Sequence, residues 1–67
     1  TGCNTEHPDL KDRVIETKNF VKDEDANDNN GHGTATASNA GGKTYGAAKQ
    51  AKLICVKALN KDGKGSY

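Results

Sequence analysis

One histidine of this chain stands between two glycines, in the run Asn29-Asn30-Gly31-His32-Gly33-Thr34. Flanking glycines leave an imidazole open to a cleft and let other backbone come close. Asn29 or Asn30 can cap a helix starting there, and the positive end of a helix resists protonation of a histidine placed on it. A neutral imidazole is what a general base requires. The same tripeptide also reads as a flexible turn with an exposed histidine, and nothing local separates the two. A second candidate lies just upstream, where Asp23, Asp25 and Asn27 have the first three spacings of an EF-hand calcium loop. The sixth position is then Asp28 instead of Gly and the twelfth Thr34 instead of Glu. The pattern fails, so Lys22 to Asn30 is read as a solvated acidic loop, and neither a metal nor a cofactor is expected.

The elements that must hold His32 follow from the pattern around it. Thr1 to Leu10 has turn chemistry, and Pro8 pushes His7 out of the helical region. Arg13 to Val21 is a strand candidate with Val14, Ile15, Thr17, Phe20 and Val21. From Gly33 to Ala40 every residue is small, which fits a helix capped at Asn29 or Asn30, ended by Gly41-Gly42 and approached closely by its neighbours. Lys52 to Leu59 is the most apolar run, short and rich in β-branched residues, as in a buried parallel strand. Asn60 to Gly65 is a turn or open loop. Strand, helix, strand makes one right-handed βαβ unit of an α/β fold. One such unit cannot cover both faces of its sheet, so the rest of the sheet is expected outside these residues.

Composition points the same way. The chain has 67 residues, of which 31% are hydrophobic and 4% aromatic; soluble domains average about 45–50% apolar. A domain of this length is marginal even with a good core. Ten basic residues, scattered, oppose nine acidic ones, for a net charge of +1. There is no basic stripe for nucleic acid and no apolar stretch near the ~20 residues of a membrane span.

The pieces also resemble, in order, the subtilisin-like serine proteases (subtilases). Thr1-Gly2 followed by His7-Pro8-Asp9-Leu10 is similar to the stretch immediately after that family's catalytic aspartate. Asn29 to Thr34 is similar to its catalytic-histidine motif. Thr44-Tyr45-Gly46-Ala47-Ala48 and Val56-Lys57-Ala58-Leu59 resemble its Tyr-Gly-Val-Ala segment and Val-Lys-Val-Leu strand, and Asp62 to Tyr67 resembles its Gly-Ser-Gly-Ser/Gln-Tyr substrate-binding segment. The short stretch between the helix and Tyr45 looks most like the proteinase K branch, while Thr-Gly-Cys is also similar to intracellular bacterial subtilisins.

The resemblance implies a fragment of a three-layer parallel-sheet fold, with residues 1–67 running from just after the catalytic aspartate to the first substrate-binding strand. His32 would be the general base and acid of a Ser-His-Asp triad whose other two members lie outside the chain. Gly63, Lys64 and Gly65 would pair with the backbone of a bound peptide, with Tyr67 bordering a side-chain pocket and Leu59 beneath it. Lys64, where the family usually has Ser, would favour acidic groups on that peptide. His7 and Asp9 match structural positions; Asp9 matches a calcium ligand of bacterial subtilisins, but the partner loop is short and no calcium site is expected. Cys3 and Cys55 would fall on or near adjoining strands and are taken as buried thiols, with a bridge as the alternative. The implied partners are a peptide or protein substrate and the remainder of the catalytic domain; the implied location is extracellular; and the piece alone would be inactive. Ala35 and Thr36 stand where the family usually has His and Val or Cys, which keeps open a non-catalytic relative or an interaction segment.

Overall fold

The computed structural model describes all 67 residues. Three elements form: β1 (Val14–Asn19), α1 (His32–Gly41) and β2 (Leu53–Lys57). The strands pair in parallel, Thr17 opposite Cys55 and Asn19 opposite Lys57, with an irregularity between Val14 and Glu16. The Leu53 N–H donates to the Arg13 carbonyl (2.8 Å) and the Phe20 N–H to the Lys57 carbonyl (2.9 Å), so pairing reaches one residue past β1 at each end. Parallel neighbours need a long crossover, and the connection carrying α1 supplies it. The α/β reading, one βαβ unit of a subtilisin-like fold, holds.

β1 is shorter than the expected Arg13–Val21. Asn19 ends it: its side-chain oxygen accepts the Val21 N–H (2.8 Å) and its amide donates to the Glu24 carbonyl (2.7 Å). Such local bonds compete with the ladder and turn the chain out of the sheet.

The helix starts later than expected. Its N-cap is Gly31, at φ 110°, and no side chain of the cap itself bonds the first turn. The acceptors come from elsewhere. Asn30 Oδ1 takes the His32 N–H (3.1 Å), Thr1 Oγ1 takes the Gly33 N–H (2.8 Å), and Asp28 Oδ2 takes the Thr34 N–H (2.8 Å). The amides that a helix start leaves unpaired are thus satisfied by three different residues. Gly42 follows the last helical residue, Gly41, as the end anticipated for the pair.

The apolar core is small. Cys3, Leu10 and Cys55 are buried, and Val14, Ala37 and Leu53 pack on them. Cys3 and Cys55 are joined in a disulfide with Cα atoms 6.1 Å apart. This corrects the reading of two buried thiols: the bridge supplies covalently what so few apolar side chains cannot. Burial alternates along β2. Cys55 and Lys57 point inward and are buried, whereas Ile54 and Val56 point outward and are more than half exposed. Ile15 and Phe20 are exposed as well, so the outer face of the sheet carries apolar side chains that nothing in these residues covers.

Lys57 is fully buried, and a buried ammonium needs a partner. It finds Glu24 Oε1 at 2.8 Å and the Asn27 carbonyl at 2.6 Å. The acidic loop is largely exposed, as expected of a solvated loop, but Glu24 and Asp28 tie it into the fold. Glu24 serves the ion pair and Asp28 serves the helix. These two carboxylates offset their desolvation because each meets several donors.

Candidate functional site

His32 is the first residue of α1 and its side chain is exposed. The two glycines beside it do different work. Gly31 faces open space, but its φ of 110° is one that side-chain-bearing residues avoid. Gly33 is the reverse: a Cβ there would run into the Gly2 carbonyl oxygen and the Thr1 hydroxyl. The helix start is pressed against the Thr1-Gly2 backbone, and only glycine permits that approach.

Asp28 organises this corner. Its Oδ1 accepts the Thr1 hydroxyl (2.7 Å) and the N–H groups of Gly31 (2.9 Å) and Asn30 (3.1 Å). Its Oδ2 accepts both the N–H and the hydroxyl of Thr34, at 2.8 and 2.6 Å. Burial alone would raise its pKa, but the bonds from Gly31, Thr1 and Thr34 outweigh that and hold the carboxyl far below its ordinary range. Thr1 in turn donates to Asp28 and accepts from Gly33. The chain start, the acidic loop and the histidine helix are thus locked together by one hydroxyl and one carboxylate.

A groove of about 460 Å³ opens between the helix and β2, within the range of small-ligand clefts. His32, Thr1, Thr36 and Leu59 are among the residues that line it. Of the expected binding residues, Leu59 therefore shares a groove with His32. Gly65 comes next to Leu59, since a Cβ on Gly65 would lie 2.8 Å from Leu59 Cδ2. Lys64 and Gly65 line a separate depression with Phe20 and Val21, on the far side of Ala58. Gly63 sits at φ 77° in the turn that leads there. Tyr67 is fully exposed and lines neither hollow. The turn is closed: the Asn60 N–H donates to the Lys64 carbonyl (2.8 Å), and Asn60 Oδ1 accepts from the Asp62 and Lys64 amides (2.9 and 3.0 Å). Beyond it, the N–H groups of Gly65 and Ser66 take no partner within the chain.

Asp9 lies at the other end of the helix. It accepts the Ser38 hydroxyl and, at 2.6 Å, the Thr44 N–H. Those bonds, Ser38 first, lower its pKa. Both of its oxygens are engaged in joining α1 to the turn that follows it.

Sequence reasoning named Asn30 as a candidate cap, and Asn30 does accept the His32 N–H, but it gave no such role to Thr1, Glu24, Asp28 or Lys57. A signal existed for Lys57, because strand alternation places it on the same face as Leu53 and Cys55 and so demands an anion. Thr1 gave no local signal, because its contacts span 27 and 32 residues, whereas the bonds from Asp28 to Asn30, Gly31 and Thr34 are local.

The parallel βαβ unit thus presents an exposed histidine on the first turn of its crossover helix, beside a groove. Residues 1–67 match, over their whole length, the family model described as the subtilase family. The chain belongs to that family. It is 51% identical over 65 residues to a subtilase-type proteinase, RRT12, of Saccharomyces cerevisiae, 97% of this chain and 13% of that protein. To Proteinase T of Parengyodontium album it is 47% identical over 98% of this chain and 22% of that protein. To the cuticle-degrading protease of Metarhizium anisopliae it is 45% identical over the whole chain and 17% of that protein. The likeness to the proteinase K branch holds. The chain spans less than a quarter of the length of these relatives. No helix is long and apolar enough to cross a membrane.

Proposed function

We propose that residues 1–67 are part of the catalytic domain of a serine endopeptidase, from just after the catalytic aspartate to the first substrate-binding strand. His32 takes the proton of a serine nucleophile and returns it to the leaving amine, oriented by an aspartate immediately before Thr1. The observation that carries this reading is the placement of His32: exposed on the first helical turn, at a groove shared with Leu59, and anchored to Thr1 through the Gly33 amide. That anchor ties the histidine helix directly to the residue that would follow the aspartate.

The substrate is a peptide or protein. Gly63, Lys64 and Gly65 receive its backbone by strand addition, for which the unpaired amides of Gly65 and Ser66 are suited. Leu59 and Tyr67 meet its side chains. The other partner is the remainder of the catalytic domain, which covers the exposed Ile15, Ile54 and Val56. One triad member is not a triad, so the isolated piece is inactive. The Cys3–Cys55 bridge supports an oxidising, extracellular location.

The test is labelling of the full-length protein by an organophosphate, with His32→Ala as the control. Fast labelling that the substitution abolishes supports the triad. Equally slow labelling of both proteins refutes it and leaves a non-catalytic relative.

A further inference from the structure

The loop before His32 and the turn before the binding segment are joined at a single residue, Lys61. Lys61 donates its N–H to Glu24 Oε2 (2.9 Å), and its carbonyl accepts from Asn30 Nδ2 (2.8 Å). Both backbone groups of one exposed residue are therefore held by side chains from the loop that ends in His32. The grip continues on each side. Asn30 Oδ1 accepts the His32 N–H (3.1 Å), so one amide group spans from the histidine backbone to the Lys61 carbonyl. Glu24 is itself fixed by the buried Lys57 ammonium at 2.8 Å. On the far side of Lys61, the Asn60 side chain and backbone close the turn onto Lys64.

We infer that Asn30 and Glu24 are positioning residues for substrate recognition: they clamp the Lys61 backbone and so set the Gly63–Gly65 segment in register with His32. This rests on the reading of that segment as the peptide-binding edge. The physical need is specific. A strand added to an edge must present its bonds at fixed spacing from the reacting carbonyl, and displacements near 1 Å are costly. Gly63 and Gly65 bring no side chains with which to hold themselves in place. The clamp acts through the position of the turn.

The substitution that isolates the clamp is Asn30→Asp in the full-length protein. It keeps an acceptor for the His32 N–H but puts a carboxylate oxygen where the Lys61 carbonyl needs a donor. Asn30 is exposed, so the fold tolerates the change. Two readouts are taken. The first is calorimetric binding of an N-acetylated tetrapeptide acid, which requires no turnover. About ten-fold weaker binding than wild type is expected, from one hydrogen bond exchanged for a repulsion. The second is hydrolysis of an N-acetylated tetrapeptide amide against an N-acetylated single-residue ester too short to reach Gly63–Gly65. The loss for the tetrapeptide exceeds the loss for the ester by about ten-fold and falls mainly on KM. Equal binding by wild type and variant, no binding by wild type, or equal losses on both substrates overturns the inference. Organophosphate labelling of the same samples reports separately on the catalytic reading. Absent labelling with peptide binding that still depends on Asn30 sinks the triad and leaves the clamp standing.

Discussion

Asp28→Asn is the sharpest probe of how the histidine corner is held. The native carboxylate accepts five hydrogen bonds, three on Oδ1 and two on Oδ2. An asparagine keeps one acceptor oxygen. With that oxygen facing Thr1, Asn30 and Gly31, its NH₂ group points at the Thr34 N–H, donor against donor. Loss of an acceptor at a helix N-terminus costs about 1 kcal/mol. The three surviving bonds lose their charge assistance, roughly another 1–2 kcal/mol together at a half-buried site. The expected loss is thus about 2–3 kcal/mol near neutral pH, read by urea unfolding of the full-length protein. The pH dependence has a definite sign. The fold lowers the Asp28 pKa, so its contribution is present above the ordinary carboxylate value and is lost as pH falls toward the folded one. The gap between wild type and variant should therefore narrow on going from neutral pH to about pH 3 and below. A loss under about 0.5 kcal/mol, or a gap that stays constant into acid, would refute the hub.

Three other outcomes follow from the same structure. Replacing Cys3 and Cys55 together by Ser removes a bridge across 52 residues and should cost about 4 kcal/mol by chain entropy, read as a shift in denaturation midpoint; a shift no larger than that of a surface substitution would contradict the bridge. Glu24→Gln should destabilise more than the double variant Glu24→Gln with Lys57→Met, since the single change strands a buried ammonium. Its stabilising contribution in wild type should fade as pH drops from 4.5 toward about 2, because the Lys57 and Lys61 donors lower its pKa to that value; thermal melts across that range check both points. Gly33→Ala should cost at least about 3 kcal/mol by forcing apart two backbones, against about 1–2 for Gly31→Ala, which meets open space and suffers only an unfavourable φ. The reverse order would mean that the helix start is not pressed against Gly2.

What the sequence revealed and what it hid divide along a physical line. β2 was legible because a β-branched apolar run has few other conformations to choose from, and the end of α1 because Gly41-Gly42 stops a helix by backbone freedom alone. His32 stood out because its glycines are local. The helix start was misplaced because capping was sought in adjacent Asn residues, whereas Thr1 and Asp28 supply two of the acceptors. The disulfide was held only as the alternative to buried thiols and the Lys57–Glu24 pair was missed for a related reason: separations of 52 and 33 residues leave no periodicity to detect. Gly33 was read both as exposing His32 and as letting other backbone come close, and the nearby Gly2 carbonyl bears out the second reason.

The low apolar content then takes on a functional meaning. Where a richer chain would set its loops on packed side chains, this one sets them on carboxylates: Asp28 under the histidine, Glu24 under the Lys61 turn, Asp9 at the far end of the helix. Packing is tolerant of small displacements, whereas a carboxylate meeting several N–H groups admits one arrangement. On the proposed function, directional contacts suit residues that hold a proton-transfer group and a peptide edge at a fixed separation. They also share a weakness, since each depends on an ionised carboxyl and each carboxyl has a lowered pKa. The apolar cluster of Cys3, Leu10 and Cys55 has no such dependence. Acid should therefore loosen the site before it loosens the core, and the order of those two events distinguishes a polar-built site from one that merely sits on a stable fold.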